Sequence, residues 1–476
     1  MMAHIGAGSV LPAPFCLALG LLLLLACGAP DQRAAVPPLT KLSPALRVLV
    51  RDSPSQPIAH RVIVDLTDQL DLAHLSDSFS HFVAGRAARR QTVLIALRTI
   101  ANESQRRLTP LLEHLRRRGE VGDYERFIIV NRVVVSATPA GIRTLAAASD
   151  VATIVEETPP SGSALAGLRT DAAHDSLSWA LQAIGGREGL DGHGIVVGII
   201  DAGASGLHEQ LHENYRGGNV SWFNPVGQTP MPTDILRGHG TGVLSAAVGR
   251  TIGVAPRAQW IACVGLPDGH YNNIALTECA EWILVNGQPD VLVNPWQLPE
   301  PGCDRTLQRI VAVWRLAEIL PVFAAGNYGP EPSSDRSPSN YGFAVGALAR
   351  GDRLFARSSR GPNSCDGSAY PTIVAPGVGV RVAYPLTPSS YIRTDGSSVA
   401  AGLAAGVAAL LLERHPDATV SELEAALREG AADAGPRGPD NDFGYGRLSV
   451  PGALTALERI RTAANPSSTS VKPMQQ

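Results

Sequence analysis

A chain of 476 residues with 40 basic and 43 acidic side chains carries a formal charge of only −3. At 45% apolar and 17% charged residues it is neither a disordered chain nor a basic nucleic-acid binder. The length suits two to three domains with a large buried core.

Residues 1–27 read as an export signal. Residues 17–25 form an apolar run of signal length, too short to span a bilayer, and lead into Ala26-Cys27. A small residue before a cysteine is the pattern of a lipoprotein signal. It makes Cys27 a lipid-bearing residue and the chain an envelope protein anchored to a membrane. The alternative is cleavage near Ala26 or Ala29 and simple secretion. Residues 28–57 are rich in Pro, Ala, Ser and Arg and predict a flexible tether.

Residues 58–157 predict a small α+β module. HRVIVDL (His60–Leu66) is a strand. Residues 86–118 are helical, with Val93, Leu97, Ile100, Leu108, Leu111 and Leu115 three or four apart, and Pro110 predicts a kink or break. The arginines of this helix fall on the other face and read as solvated. A strand over 127–135, a helix over 139–148 and a strand at 151–156 follow. Residues 158–178, small and polar with Pro-Pro and glycines, predict a linker open to proteolysis.

Residues 179–460 differ. Short runs at 195–200, 259–264, 291–294, 321–325 and 343–347 are apolar on both faces and alternate with helical patterns. Such strands form a parallel sheet with helices on both sides, where sites gather at the carboxyl ends of strands. Residues 461–476 read as a disordered tail. Four cysteines lie in this region (Cys263, Cys279, Cys303, Cys365), none in a CxxC pair. An exported protein can join them in any of three pairings or keep them as buried thiols.

Three segments carry chemistry. IVVGIIDAG ends a buried strand on Asp201, RGHGTGVLSAAVG sets His239 between glycines before an apolar helix, and DGSSVAAG sets Ser398 at the start of another. Singly, these are a cap, a core histidine and an N-cap. In the order Asp, His, Ser, each in a Gly-rich turn beside a core element, they specify more. A serine hydroxyl is a weak nucleophile, needs a base in hydrogen-bond reach, and the base needs a carboxylate to fix its tautomer. PVFAAGNYG places Asn327 after a fourth strand, where its amide can bind an oxyanion.

On these four segments the chain resembles the subtilisin-like (subtilase) family, over roughly residues 179–457. GVAPRAQWIACVGL, Ser358-Ser359-Arg360-Gly361-Pro362 and VAPGVGV are similar to further family blocks. HENYRGGNVSWFNP, VAPRAQWIAC and the 127–157 segment resemble the bacillopeptidase F branch. The resemblance implies an α/β subtilisin-like sheet and a serine endopeptidase with Asp201, His239 and Ser398 as triad and Asn327 as oxyanion donor. It implies that residues 58–157 are a propeptide that inhibits the same chain and is cut off. Asn294, Pro295, Trp296 and Gly326 would meet a protein or peptide substrate. No cofactor is required for the chemistry and no nucleic acid is expected; the family's structural calcium finds no assigned ligands here.

The chain also departs from the family. Ser397 stands for Thr, Val399 for Met, Gly402 for Pro and Leu403 for His around the nucleophile, and Ala202 for Thr or Ser after Asp201. Pro295 and Gln297 stand in the substrate strand, where a proline removes a donor and Gln297 would crowd the cleft. These departures motivate an alternative, a degenerate subtilase that binds a peptide without cutting it. His208-Glu209-Gln210-Leu211-His212 matches HExxH and motivates a minor one, a zinc peptidase using His208 and His212.

Overall fold

The computed structural model describes residues 38–52, 57–81, 85–157, 168–169, 179–227, 229–235, 238–298, 302–335 and 342–464. The expected signal and Cys27, most of the linker, and residues 465–476 lie outside the described residues.

Residues 38–52, expected within the tether, are folded. A 3₁₀ turn (Pro38–Lys41) leads into helix α1 (Pro44–Asp52). Leu42, Leu46 and Val50 are buried in one cluster with Val62, Val64, Ile142 and Leu145. The physical reason is spacing: Leu46 and Val50 are four apart, so both fall on one helix face.

The N-terminal module continues with β1 (His60–Leu66), α2 (Leu72–His81), α3 (Arg86–Arg117), β2 (Val121–Phe127), β3 (Arg132–Ala137), α4 (Pro139–Ala147) and β4 (Val151–Glu156). Its sheet is antiparallel in the order β2-β3-β1-β4. The single strand expected over 127–135 holds the last residue of β2, a turn and the first part of β3. Helix α3 runs through Pro110 without a break. The proline forfeits one backbone bond, but Leu108, Leu112 and Leu115 are buried around it and hold both flanks in place. The sheet is apolar on both faces. Val62, Val64, Val133 and Val135 face its own helices, while Ile63, Phe127 and Val134 pack with Ile274 of the next unit.

Strand β5 (Leu168–Arg169) lies in the linker, and helix α5 (Trp179–Ala183) opens the large unit. There follow β6 (Val196–Asp201), β7 (Trp222–Phe223), α6 (His239–Val248), β8 (Gln259–Val264), α7 (Asn273–Trp282), β9 (Val291–Asn294), α8 (Arg305–Leu316), β10 (Leu320–Ala324), β11 (Phe343–Ala349), β12 (Arg353–Leu354) and β13 (Ile373–Pro376). The main sheet runs β12-β11-β10-β9-β6-β8-β7, with β13 on β11, and every pair but β11–β12 is parallel. The chain leaves β6 toward β8 on one side and β9 on the other. The carboxyl end of β6 is therefore a topological switch point. A smaller antiparallel sheet joins β14 (Val380–Ala383), β15 (Tyr391–Thr394) and β5.

Helix α9 (Ser397–Arg414) crosses the core. Among the described residues it alone is long and apolar enough to cross a membrane, but 89% of it is buried inside the protein. It packs on α6 at backbone distance. A Cβ on Gly402 would stand 2.6 Å from Val243 O, and one on Gly406 2.9 Å from Ala247 O. Gly402 therefore has a packing reason: it brings together the two helices that start at His239 and Ser398. Helices α10 (Val420–Glu429) and α11 (Val450–Ala464) complete the unit, α11 running past the expected end at 460. Two disulfides settle the pairing, Cys263–Cys279 between β8 and α7 and Cys303–Cys365 between two loops.

Candidate active site

The site forms where β6, α6, α9 and the β10–β11 connection meet. Asp201 ends β6 with no solvent exposure. Its Oδ1 accepts the Ala202 N–H (2.7 Å) and its Oδ2 meets His239 Nδ1 (2.8 Å). This approach needs a glycine: a Cβ on Gly240 would lie 1.9 Å from Gly203 O and 3.0 Å from Asp201 Cβ.

His239 is the first residue of α6, behind left-handed Gly238. Sequence reasoning missed how this turn is held. Asp234 accepts the N–H groups of Gly238 (3.1 Å) and Thr241 (3.0 Å) and the Thr241 hydroxyl (2.7 Å). It lies in an irregular loop, and no periodic signal marks it. Burial works against the His239 imidazolium, but the Asp201 charge and hydrogen bond, with the Asp234 charge, outweigh it and hold the pKa above the ordinary histidine value.

Ser398 is the second residue of α9, so backbone N–H groups and the positive helix end surround it. It lines one small cavity with His239, Thr394 and Gly396. Its hydroxyl donates to Pro295 O (3.0 Å), and His239 Nε2 has no hydrogen-bond partner among the described residues. The structure thus joins Asp201 to His239 and sets Ser398 in the same cavity. The bond from Ser398 to His239 is not formed.

Asn327 follows β10. Its Oδ1 accepts the Ser397 N–H (3.0 Å) and lies 3.2 Å from the Ser397 hydroxyl, which directs its amide nitrogen away from both. Ser397, the residue in place of the family's threonine, also accepts the Gly326 N–H (3.1 Å). Gln297 does not simply crowd the cleft: its Oε1 accepts the Asn327 N–H (3.2 Å), and it is buried beside Gly326. Ser359 supports the same loop by accepting the Tyr328 N–H (3.1 Å).

Two expected substrate residues have their side chains in the interior. The Asn294 side chain is fully buried, its amide bonded to Leu292 O (3.3 Å). Trp296 is 1% exposed and packs edge-on against Phe323 in the core. There its ring buries a large apolar area. What this segment gives the site is backbone: the Pro295 carbonyl accepts the Ser398 hydroxyl.

The HExxH segment is a tight turn, not a long helix. His208 Nε2 bonds to Ser390 O (2.8 Å), its Nδ1 accepts the Gln210 N–H (3.2 Å), and His212 Nδ1 meets Gly206 O (3.1 Å). Both histidines thus serve backbone, and among the described residues no group of three or more His, Cys, Asp or Glu is placed to hold a metal ion.

Comparison with known proteins agrees with this geometry. Residues 192–446 match the model of the subtilase family. Bacillopeptidase F of Bacillus subtilis (strain 168) is 29% identical over 417 residues, covering 78% of this chain and 29% of that protein. Serine protease AprX of the same organism is 28% identical over 335 residues, 61% of this chain and 72% of that one. Subtilisin BL of Lederbergia lenta is 31% identical over 290 residues, 58% of this chain and 98% of that one. The chain spans less than a third of the bacillopeptidase F it matches and nearly all of the shorter subtilisin. A parallel sheet with Asp201 at its switch point and His239 and Ser398 heading two packed helices coincides with a family match over more than half of its length: the chain belongs to the subtilase family of subtilisin-like serine proteases, in the branch of bacillopeptidase F.

Proposed function

We propose that the chain is an exported serine endopeptidase, made as a precursor, that hydrolyses peptide bonds through an acyl-enzyme. One observation carries the reading: buried Asp201 bonds His239 at 2.8 Å, and His239 lines one cavity with Ser398. The Ser398 hydroxyl leaves the Pro295 carbonyl, gives its proton to His239 Nε2 and attacks the substrate carbonyl. His239 returns the proton to the leaving amine. Asp201 keeps Nδ1 protonated and faces the imidazolium charge. The Ser398 N–H and the Asn327 amide bind the oxyanion, each worth about 3 kcal/mol in the transition state. Water then releases the acyl group by the same path.

Residues 58–157 serve as an intramolecular inhibitor by holding the linker beside the site, and a cut in 158–178 ends the inhibition. Strand β5 supports this: Leu168 and Arg169 pair antiparallel with Thr394 and Arg393, just ahead of Ser398. Two disulfides support export. Lipid attachment at Cys27, outside the described residues, would fix the product to a membrane.

A non-cleaving peptide binder is the second reading, favoured by the Ser398 hydroxyl resting on Pro295 O. Fluorophosphonate labelling and intact mass, on wild type and Ser398→Ala, separate the two. The protease reading expects wild type labelled at Ser398 and split between residues 157 and 179, with the variant unlabelled and whole. Wild type that neither labels nor splits leaves only the binder. Labelling that persists in Ser398→Ala removes the serine assignment.

A further inference from the structure

Among the described residues the N-terminal module touches the large unit chiefly at two places. One is its sheet, laid on α7. Arg132 Nη1 donates to Thr277 Oγ1 (3.1 Å), and Glu281 Oε2 accepts the N–H groups of Ile128 (2.5 Å) and Ile129 (3.1 Å). The other is α2 with the first turns of α3, where three arginines expected to be solvated are instead engaged.

Arg86 donates to Ala418 O (2.8 Å) and Glu318 O (2.6 Å) and lies 3.4 Å from Asp290 Oδ1. Arg89 donates to Glu318 Oε1 (3.0 Å). Arg90 donates to Ala317 O (3.1 Å), Gln288 O (3.1 Å) and Pro289 O (3.2 Å). These acceptors belong together chemically. Gln288 and Glu318 are left-handed residues (φ 48 and 58) that end helical segments, where carbonyls lack helical partners and the dipole is negative. Forked guanidinium groups satisfy both needs. The Glu318 side chain is 4% exposed; its second oxygen accepts the Val420 N–H (2.8 Å) that starts α10. Apolar contact continues beneath: Leu75, Phe79 and Val93 share one buried cluster with Leu307, Ile310 and Trp314.

Position decides what this contact is for. Asp290 immediately precedes β9, Glu318 lies two residues before β10, and Asp290 Oδ2 also accepts the Val196 N–H at the start of β6 (3.0 Å). The arginines therefore hold the amino edge of the parallel sheet. Asp201 and Asn327 stand at its carboxyl edge. A unit gripped here stays clear of the cleft once the linker is cut, and its departure would strip a buried carboxylate and a row of carbonyls of their donors.

We infer that the N-terminal module is not discarded after the linker is cut but stays on the large unit as a permanent structural subunit, gripped by Arg86, Arg89 and Arg90. The inference rests on the reading that 158–178 is a processing linker, but its test does not depend on self-cleavage. A recognition site for an unrelated protease is placed in the linker of full-length Ser398→Ala protein and cut, and the pieces are followed by gel filtration and by dissociation kinetics. The expected result is one particle holding both pieces. The Arg86→Ala/Arg89→Ala/Arg90→Ala variant loosens it about a hundredfold or more. The single Arg90→Met variant, which keeps most of the aliphatic stem, loosens it measurably while folding normally. Parent pieces that separate on the column, or arginine variants that hold as tightly as the parent, overturn the inference.

Discussion

His239 carries two opposed influences. Burial alone would lower its pKa; the Asp201 carboxylate, through charge and hydrogen bond, and Asp234 raise it above the ordinary 6.5. The proposed base must be neutral, so activity falls as pH drops through that raised value. The acid limb of kcat/KM is expected above pH 6.5. Asp201→Asn removes the largest raising influences and leaves burial opposed by Asp234. Its acid limb should move down in pH, while kcat falls by about 10⁴ because the tautomer is no longer fixed. A pH profile of wild type and variant checks both. A limb that stays in place would mean that Asp201 does not set the histidine's protonation.

At the scale of elements, the site depends on how two helices begin. Helix α6 has no side-chain cap at Gly238, and Asp234 accepts three bonds from its first turn instead. Asp234→Ala should cost about 1–2 kcal/mol of stability, read from denaturant unfolding. It should also lower the acid limb, because a charge that raises His239 is gone. A loss of stability with an unmoved limb would reduce Asp234 to a cap. This residue also marks the limit of what was legible in sequence. Strands apolar on both faces, such as Gln259–Val264 and Val291–Asn294, were readable because burial on both sides leaves no polar alternation. The turns that place Asp201, His239, Ser398 and Asn327 were readable because they need glycine and small residues. Asp234, Gln297 and the fold of α1 were not, because each is explained by a partner far along the chain. Pro110 and the arginines of α3 misled for the same reason: local rules predict a break and a solvated face, and tertiary contact overrides both.

The whole molecule is two units whose joint contains both fixed and titratable contacts. Beside the arginine clamp, the sheet contact buries Glu278 of α7 against Glu125 of β2, with Glu157 adding negative charge and Arg61 opposing it. Burial first, and then the hydrogen bond and charge of Glu125, push the Glu278 pKa from 4.5 up to about 8. Glu281 nearby is raised by burial against the pull of the Ile128 and Ile129 N–H groups and Arg98. In the separated large unit Glu278 loses Glu125. The joined state therefore binds a proton that the separated state releases, and association weakens as pH rises from about 4.5 to about 8 and levels off above. Dissociation of the cut pieces should be faster at pH 9 than at pH 5. Glu278→Gln should remove most of that slope and leave the smaller share of Glu281. An equal slope in parent and variant would place the titration elsewhere. The arginine contacts are made largely to backbone carbonyls, which do not titrate, so alkaline pH is expected to loosen the sheet contact before the clamp. The two contacts are thus separable by experiment: arginine substitution changes the affinity at every pH, and Glu278→Gln changes its dependence on pH.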